Sequence, residues 1–238
     1  MSALASDTAM VMAAGLGKRM RPLTATQPKP LVRVAGKPLV DHALDRLAAE
    51  GIARAVVNVH YLADALEAHV AERAQPKVTI SDERDLLLET GGGMVKALPQ
   101  LPDPFFCVNS DNIWLDGPTP ALAELSKRWR PAEMDALLLV VEHGHAAGFR
   151  GQGDFSMDAI GRLKRRLPGR VAPFIYTGIQ LVSHRLLRDA PEGPFSTNIF
   201  WNRAIEEGRL FGVAFTGLWF EVGTPAAIRW TEEALANA

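Results

Sequence analysis

The sequence predicts an α/β fold in which a mostly parallel sheet forms the middle of three layers. Two observations predict it. Short apolar runs alternate with segments whose apolar residues recur at helical spacing, and the connections between these segments are short. The 238 residues contain no internal repeat and no Ser/Gly-rich linker, so we expect one domain over residues 1–238.

The first half of the chain supplies the clearest elements. Residues 8–13 form an apolar run that ends in glycines, which is typical of a buried strand. Residues 38–49 have helical spacing, and Gly51 follows as a stop signal. The remaining elements predicted here are a strand at 55–59, a helix at 62–72, a strand at 77–81, a helix at 90–98 and a strand at 105–108.

The second half is less regular. A helix at 120–129 and a strand at 136–141 precede a glycine-rich loop at 143–153. The last predicted elements are strands at 175–182 and 210–215 and a helix at 225–236.

Ligands of doubly wound sheets bind beyond the carboxyl ends of the strands, so residues that directly follow strands are the functional candidates.

Composition excludes several classes of protein. The chain has 26 basic and 27 acidic residues, and this balance argues against broad electrostatic binding of nucleic acid. A single cysteine, Cys107, excludes an internal disulfide and a cysteine-based zinc site. No apolar run is long enough to span a bilayer, and the N-terminus lacks the features of a secretory signal. We expect a cytoplasmic monomer or small homo-oligomer with no nucleic-acid or membrane partner.

A basic, glycine-containing loop follows the first predicted strand. Residues 13–24 are A-A-G-L-G-K-R-M-R-P-L-T. The glycines let backbone N–H groups approach an anion, and Lys18, Arg19 and Arg21 add positive charge, which favours polyphosphate binding. The loop lacks the third glycine of a dinucleotide fingerprint and the Ser or Thr of a P-loop. A tight turn with solvated basic residues is the alternative at this point.

Four segments in sequence order resemble the sugar-1-phosphate nucleotidyltransferase family. The loop continues into K-P-L at 29–31, which matches the family's G-x-G-x-R-x-x-P-L-T and K-P-L pattern. L-L-E-T-G-G-G-M at 87–94, V-N-S-D-N-I at 108–113 and W-F-E-V-G-T-P at 219–225 follow. The resemblance implies a Rossmann-like, nucleotide-diphospho-sugar transferase fold. It also implies a nucleotide-binding half at about 1–115 and a sugar-binding half at about 116–238.

Within the family, the sequence is most similar to the branch that forms UDP-N-acetylmuramic acid in peptidoglycan recycling. The implied reaction is attack of a sugar-1-phosphate oxygen on the α-phosphorus of UTP, which releases pyrophosphate. The alternative enzymes are guanylyl- or thymidylyltransferases for mannose-, heptose- or glucose-1-phosphate. The alternative outside the enzyme class is a non-catalytic, nucleotide-sugar-binding regulatory protein.

The resemblance implies catalytic roles for Arg19, Lys29 and Asp111. Arg19 would hold the departing pyrophosphate through its two-pronged guanidinium, and Lys29 would lie against the α-phosphate. Asp111 would bind Mg²⁺ together with Glu221, which stands where the family usually has Asp. The residues expected at the nucleotide are Ala13, Ala14, Gly15, Gly17, Lys18, Arg19, Lys29, Glu89, Thr90, Gly91 and Gly92, with Gly93 beside them.

The sugar site is expected mainly from the second half. The family's Glu-Lys pair has no clear counterpart, and residues 162–170 are R-L-K-R-R-L-P-G-R. Lys164 or Arg165 would bind the sugar phosphate or a carboxylate such as the lactyl group of muramic acid; a solvated basic loop is the alternative. The full expected set is Asn109, Asp154, Lys164, Arg165, Thr177, Gly178 and Trp219.

Overall fold

The computed structural model describes residues 3–146 and 149–237. Positions 147 and 148 of the predicted loop, and the first two and the last residue of the predicted domain, lie outside the described residues. No helix in the described ranges is both long enough and apolar enough to cross a membrane.

The strands, in chain order, are β1 Thr8–Met12, β2 Arg33–Val34, β3 Lys37–Pro38, β4 Arg54–Val59, β5 Lys77–Asp82, β6 Phe105–Asn109, β7 Asn112–Leu115, β8 Ala136–Glu142, β9 Phe155–Met157, β10 Leu163–Arg165, β11 Phe174–Val182, β12 Leu210–Ala214 and β13 Leu218–Glu221. The helices are α1 Leu39–Ala49, α2 Ala63–Ala71, α3 Glu89–Ala97, α4 Ala121–Arg128, α5 Asn198–Glu206 and α6 Pro225–Ala236. Short 3₁₀ turns lie at Lys18–Met20, Lys29–Leu31, Leu98–Gln100, His143–His145 and His184–Leu187.

Within the described ranges, nine strands form one mixed central sheet. β1 lies between β4 and β6 and runs parallel to both, and β5 continues the parallel set beside β4. β11 runs antiparallel to β6 and β8, and β12 lies parallel to β8 at an edge. β9 and β10 form an antiparallel hairpin. The predicted α/β fold is confirmed.

Apolar side chains project from both faces of this sheet. In β1, Val11 faces the core on the side of α1, α2 and α4, whereas Met10 faces the core on the side of α3 and α5. Successive side chains of a strand point to opposite faces, so a continuous apolar strand must be covered on both sides. The helices on the two faces provide that cover and give the three layers.

Several elements were absent from the sequence prediction. The β2–β3 and β9–β10 hairpins and the β7–β13 pair have strands of two to four residues, which carry too little periodicity to be recognised. Helix α5 buries Phe200, Trp201 and Ala204 at helical spacing, but the side chain of its apolar Ile199 is exposed and obscures the pattern.

One carboxylate joins α1 to α4 and gives the fold a pH dependence. Glu50 follows α1, and its Oε2 accepts the backbone N–H groups of Leu122 at 2.8 Å and Ala123 at 3.2 Å. Burial, together with the nearby charge of Asp116, raises the pKa of Glu50 from 4.5 to about 7. The folded state therefore binds this proton more tightly than the unfolded state, and stability falls as the pH rises from about 4.5 to about 7.

Replacing this carboxylate by an amide should remove that fall. Glu50→Gln keeps an oxygen acceptor for the α4 amides and has no charge to bury. We expect Glu50→Gln to be more stable than the wild type at pH 8. The free energy of unfolding of the variant minus that of the wild type should be larger at pH 8 than at pH 5 by on the order of 3 kcal/mol. Urea unfolding at the two pH values measures this difference, with the exposed Glu72→Gln as control. The same pH dependence in wild type and Glu50→Gln would contradict the assignment.

Candidate active site

A cavity of about 570 Å³ opens beyond the carboxyl ends of β1, β4 and β6. From β1 the chain proceeds through β4 to β5 and then returns to β6 on the other side of β1, so this edge is a topological switch point where α/β proteins bind ligands. The residues from the predicted nucleotide and catalytic sets that line the cavity are Ala13, Ala14, Gly15, Gly17, Lys18, Arg19, Lys29, Glu89, Thr90 and Asp111.

The loop after β1 presents backbone N–H groups to this cavity. The amides of residues 14–17 donate to no acceptor in residues 3–146 or 149–237, whereas the Ala13 amide donates to Asn58 Oδ1 at 2.6 Å. Gly17 adopts a left-handed φ of +61°, and its carbonyl accepts the Thr24 hydroxyl at 2.8 Å. Unused amides at a left-handed turn form a concave site for an anion such as phosphate.

Gly17 is required at this turn for two reasons. A residue with a Cβ is strained at φ +61°, and a Cβ there would lie 3.0 Å from both Lys29 Cβ and Thr24 Cγ2. We therefore expect Gly17→Ala to displace the loop and lower kcat/KM for the nucleotide by about tenfold or more.

Gly36→Ala is the matched control for this substitution. Gly36 also has a positive φ, +76°, but no atom lies within 4 Å of the position that its Cβ would occupy. Both variants should lose about 1 kcal/mol of stability in urea unfolding because of the left-handed backbone. Only Gly17→Ala should lose activity, and equal kcat/KM for the two variants would contradict the role of the Gly17 turn.

A cation and a carboxylate from distant parts of the chain meet inside the cavity. Lys29 Nζ lies 2.5 Å from Asp111 Oδ2, and the two side chains are only 13% and 23% exposed. Asp111 occupies the turn between β6 and β7, where the N–H and the hydroxyl of Ser110 both donate to the Met12 carbonyl. These bonds join the ends of β1 and β6, so the turn holds Asp111 beside the loop that follows β1.

A second ion pair lies at the rim of the cavity. Arg19 Nη2 is 3.4 Å from Glu221 Oε1, and the Arg19 side chain is 66% exposed. Glu221 ends β13 opposite Asn112 of β7, and the Val222 amide donates to the Asp111 carbonyl. Asp111 in the turn before β7 and Glu221 at the end of the adjacent β13 each face one cation, and Glu221 itself lines a neighbouring cavity that shares Arg19 with this one.

The glycines of α3 pack against the protein and do not line the cavity. The amides of Gly91 and Gly92 donate to the Phe195 carbonyl, and a Cβ at Gly91 would lie 2.5 Å from the Phe195 ring. A Cβ at Gly93 would lie 2.8 Å from Glu83 Oε1. The expected contact of these glycines with a nucleobase is thus replaced by close helix packing, and Glu89 and Thr90 alone of this segment's predicted residues reach the cavity.

A smaller cavity of about 220 Å³ adjoins the first one. Asn109 and Thr90 line both, so Asn109, one of the residues expected at the sugar, lies at their junction. Cys107 contributes to the wall, and burial raises the pKa of its thiol to about 12, which keeps it protonated. Wall residues that the sequence did not suggest are Tyr176, Gln180, Ser196, Asn198 and Trp201.

Three residues expected at the sugar lie behind this wall. Thr177 is fully buried, and its hydroxyl donates to the Leu139 carbonyl. The Trp219 indole N–H donates to the Thr177 carbonyl at 2.8 Å. Gly178 has a φ of +80° and packs against the amides of Asn109 and Asn112. These residues therefore shape the wall from the core and do not contact the cavity.

The β9–β10 hairpin, which carries the basic residues Lys164 and Arg165, contributes one side chain near the smaller cavity. Arg165 donates to Asn198 Oδ1 at 2.6 Å and to Asn202 Oδ1 at 2.9 Å, and its guanidinium stacks over Trp201. Lys164 is exposed, and Asp154 accepts the Tyr176 amide through Oδ2. Of the predicted basic pair, Arg165 alone contacts wall residues of the cavity, Asn198 and Trp201.

Comparisons of sequence relate this chain to nucleotidyltransferases. A family model described as nucleotidyl transferase matches residues 8–150. N-acetylmuramate alpha-1-phosphate uridylyltransferase of Caulobacter vibrioides is 44% identical, and the alignment covers 98% of this chain and 99% of that protein. The protein of the same name from Neisseria meningitidis is 34% identical over 97% of this chain and 98% of its own length.

Comparisons of structure agree with the fold. A UDP-glucose pyrophosphorylase solved with UDP-glucose superposes with a TM-score of 0.77 at 12% identity, covering 97% of this chain and 98% of the other. The inositol-1-phosphate CTP transferase of T. maritima gives a TM-score of 0.74 at 19% identity, over 94% and 91% of the two chains. Both neighbours share the Rossmann-like arrangement of the present chain.

Proposed function

The chain belongs to the nucleotidyltransferase family, and we propose that it transfers a uridylyl group from UTP to N-acetylmuramate α-1-phosphate. The products are UDP-N-acetylmuramic acid and pyrophosphate. The observation that carries the proposal is the half-buried Lys29–Asp111 pair facing a loop of unused amides, because a cation, a carboxylate and an anion nest are what nucleotidyl transfer needs. The relatives' identity over nearly the whole chain supports the choice of uridylyl and muramyl substrates.

The nucleotide occupies the larger cavity in this proposal. The amides of residues 14–17 bind the β- and γ-phosphates, with Lys18 beside them, and Arg19 at the rim binds the departing pyrophosphate. Lys29 donates to an α-phosphate oxygen. The sugar phosphate oxygen attacks the α-phosphorus, the bond from that phosphorus to the bridging oxygen breaks, and pyrophosphate leaves with that electron pair. Lys29 neutralises negative charge at the α-phosphate during this exchange.

The two carboxylates fit a magnesium site. Asp111, directly before β7, and Glu221, at the end of the adjacent β13, provide hard oxygen ligands, and Mg²⁺ usually takes one or two protein carboxylates, with phosphate oxygens and water as further ligands. The extra methylene of Glu221 is compatible with this site, since its carboxylate already points to the Arg19 rim. When bound, Mg²⁺ would supply positive charge between the two repelling phosphate groups.

The sugar occupies the smaller cavity. Asn109 lies at the junction, where the acceptor phosphate must reach the nucleotide. Arg165 has neutral amide partners, and no carboxylate of the described residues lies within 4 Å of it, so its charge is available to the lactyl carboxylate. The sheet runs without interruption from β5 to β12, which supports one domain whose first half binds nucleotide and whose second half binds sugar.

Pyrophosphate release across a matrix of substrates tests the proposal. UTP, GTP, CTP, dTTP and ATP are combined with N-acetylmuramate, N-acetylglucosamine, glucose and mannose 1-phosphates, with and without Mg²⁺. We expect the fastest release from UTP with the muramate and none without a divalent cation. Release only with GTP and mannose-1-phosphate would replace the substrate assignment, and release from no pair would overturn the enzymatic one.

A further inference from the structure

A buried hydrogen-bonded pair, Asn58 and Glu83, lies at the wall of the larger cavity, which Asn58 lines, and has no role in the reaction described so far. Glu83 is 0% exposed and Asn58 is 1% exposed. Asn58 Nδ2 donates to Glu83 Oε1 at 2.7 Å. Among the described residues, no Lys, Arg or His nitrogen lies within 4 Å of a Glu83 carboxylate oxygen, and this carboxylate accepts hydrogen bonds from Asn58 Nδ2 and from the Leu88 amide. A buried carboxylate is costly unless such bonds are made, which makes its position well defined.

Each end of the pair holds one wall of the cavity. Asn58 Oδ1 accepts the Ala13 amide at 2.6 Å, directly before the unused amides of residues 14–17. Glu83 Oε2 accepts the Leu88 amide at 3.0 Å, directly before Glu89, which lines the cavity in a left-handed conformation with φ +59°. The chain Ala13–Asn58–Glu83–Leu88, here called the buried relay, therefore connects the phosphate-binding loop to the opposite wall.

Gly93 makes room for the buried relay. A Cβ at this position would lie 2.8 Å from Glu83 Oε1 and 3.1 Å from Asn58 Nδ2. Glycine inside a helix costs about 1 kcal/mol relative to alanine, so its presence in α3 is explained by the carboxylate that approaches it. Gly93, the last glycine of E-T-G-G-G at 89–93, thus leaves space for the buried relay.

We propose that Glu83 and Asn58 are positioning residues that fix the separation of the two cavity walls and thereby set the affinity for the nucleoside triphosphate. The inference rests on the proposed nucleotide-binding function of the cavity. Neither side chain takes part in the chemistry. Substitution of Glu83 or Asn58 should therefore raise the KM and the Kd for UTP and leave the KM for the sugar phosphate nearly unchanged.

The donor pattern of the relay allows a reciprocal test. In Glu83→Gln, the new amide N–H₂ must face either Asn58 Nδ2 or the Leu88 amide, so one donor–donor contact is unavoidable. In Asn58→Asp, two buried carboxylate oxygens face each other. In the double variant Asn58→Asp/Glu83→Gln, the carboxylate at position 58 would accept from Ala13 and from the amide N–H₂ at position 83. The amide oxygen at position 83 would accept from Leu88, so every bond is restored with the charge moved to the other side chain.

The experiment measures the Kd for UTP by calorimetry without sugar, then kcat and both KM values. Each single variant should weaken UTP binding by about tenfold or more, and the double variant should return to within about threefold of the wild type. The KM for the sugar phosphate should change by less than about twofold throughout. Asp135→Asn, which removes a buried carboxylate that binds Arg185 and Arg209, is the control for loss of stability alone.

The outcomes separate the relay from the proposed function. Folded single variants with the wild-type Kd for UTP, or a double variant as weak as the single ones, would overturn the positioning role. A UTP Kd raised equally in Asp135→Asn would also overturn it, because the effect would then follow stability. A wild type that binds UTP but forms no UDP-sugar would contradict only the proposed reaction, and a wild type that binds no nucleotide would overturn both.

Discussion

Lys29→Ala is expected to lower kcat by about 10²–10³-fold and to raise the KM for UTP by less than about fivefold. In the proposed reaction, Lys29 is a poorly exposed cation that faces the α-phosphate, so its charge should matter most in the transition state, whereas the loop amides and Arg19 should supply most of the triphosphate binding. Steady-state kinetics with UTP and N-acetylmuramate α-1-phosphate measure both constants.

Lys37→Ala is the matched control for this substitution. Lys37 also pairs with an aspartate, Asp45, at 2.6 Å, but its side chain is 46% exposed and lies outside the cavity. The control should keep the wild-type kcat. A near-wild-type kcat for Lys29→Ala would remove Lys29 from the mechanism. Recovery of Lys29→Ala at high Mg²⁺ concentration would show that Lys29 acts only by holding Asp111.

Asp111→Asn should be the most damaging single change, with kcat/KM reduced by about 10³-fold or more. The amide has the shape of the carboxylate and can still accept a hydrogen bond from Lys29, so the fold of the β6–β7 turn is retained while the negative charge is lost. The dependence of the rate on Mg²⁺ concentration should shift to much higher concentrations.

Asp64→Asn provides the control, because its side chain is 96% exposed and lies outside the cavity. Circular dichroism and thermal unfolding of both variants verify that they are folded. Activity of Asp111→Asn within about tenfold of the wild type, with an unchanged Mg²⁺ dependence, would exclude Asp111 as the principal metal ligand.

The parts of the site that follow strands could be predicted from the sequence. The alternation of β1, α1 and β4 indicated a sheet whose carboxyl edge binds ligands, and the loop after β1 and Asp111 after β6 both lie at that edge. The motif match added Lys29, which is 82 positions from Asp111 in the sequence and could not have been paired with it from local pattern alone.

Other residues were placed differently because their partners are distant in sequence. A glycine in a sequence indicates that another group approaches the backbone closely, but it does not show whether that group belongs to a ligand or to the protein. The approaching group is the Phe195 side chain at Gly91 and the Glu83 carboxylate at Gly93. Thr177 and Trp219 bond to each other in the core. The smaller cavity is lined partly by α5, whose periodicity was obscured by the exposed Ile199.

The transfer of label from UTP tests the central claim most directly. The protein is incubated with N-acetylmuramate α-1-phosphate, Mg²⁺ and UTP that carries ³²P at either the α- or the γ-position. Nucleotidyl transfer predicts that the α-label appears in UDP-N-acetylmuramic acid and the γ-label in pyrophosphate, in equal amounts. An α-label that stays in UTP or appears only in UMP or UDP would contradict it.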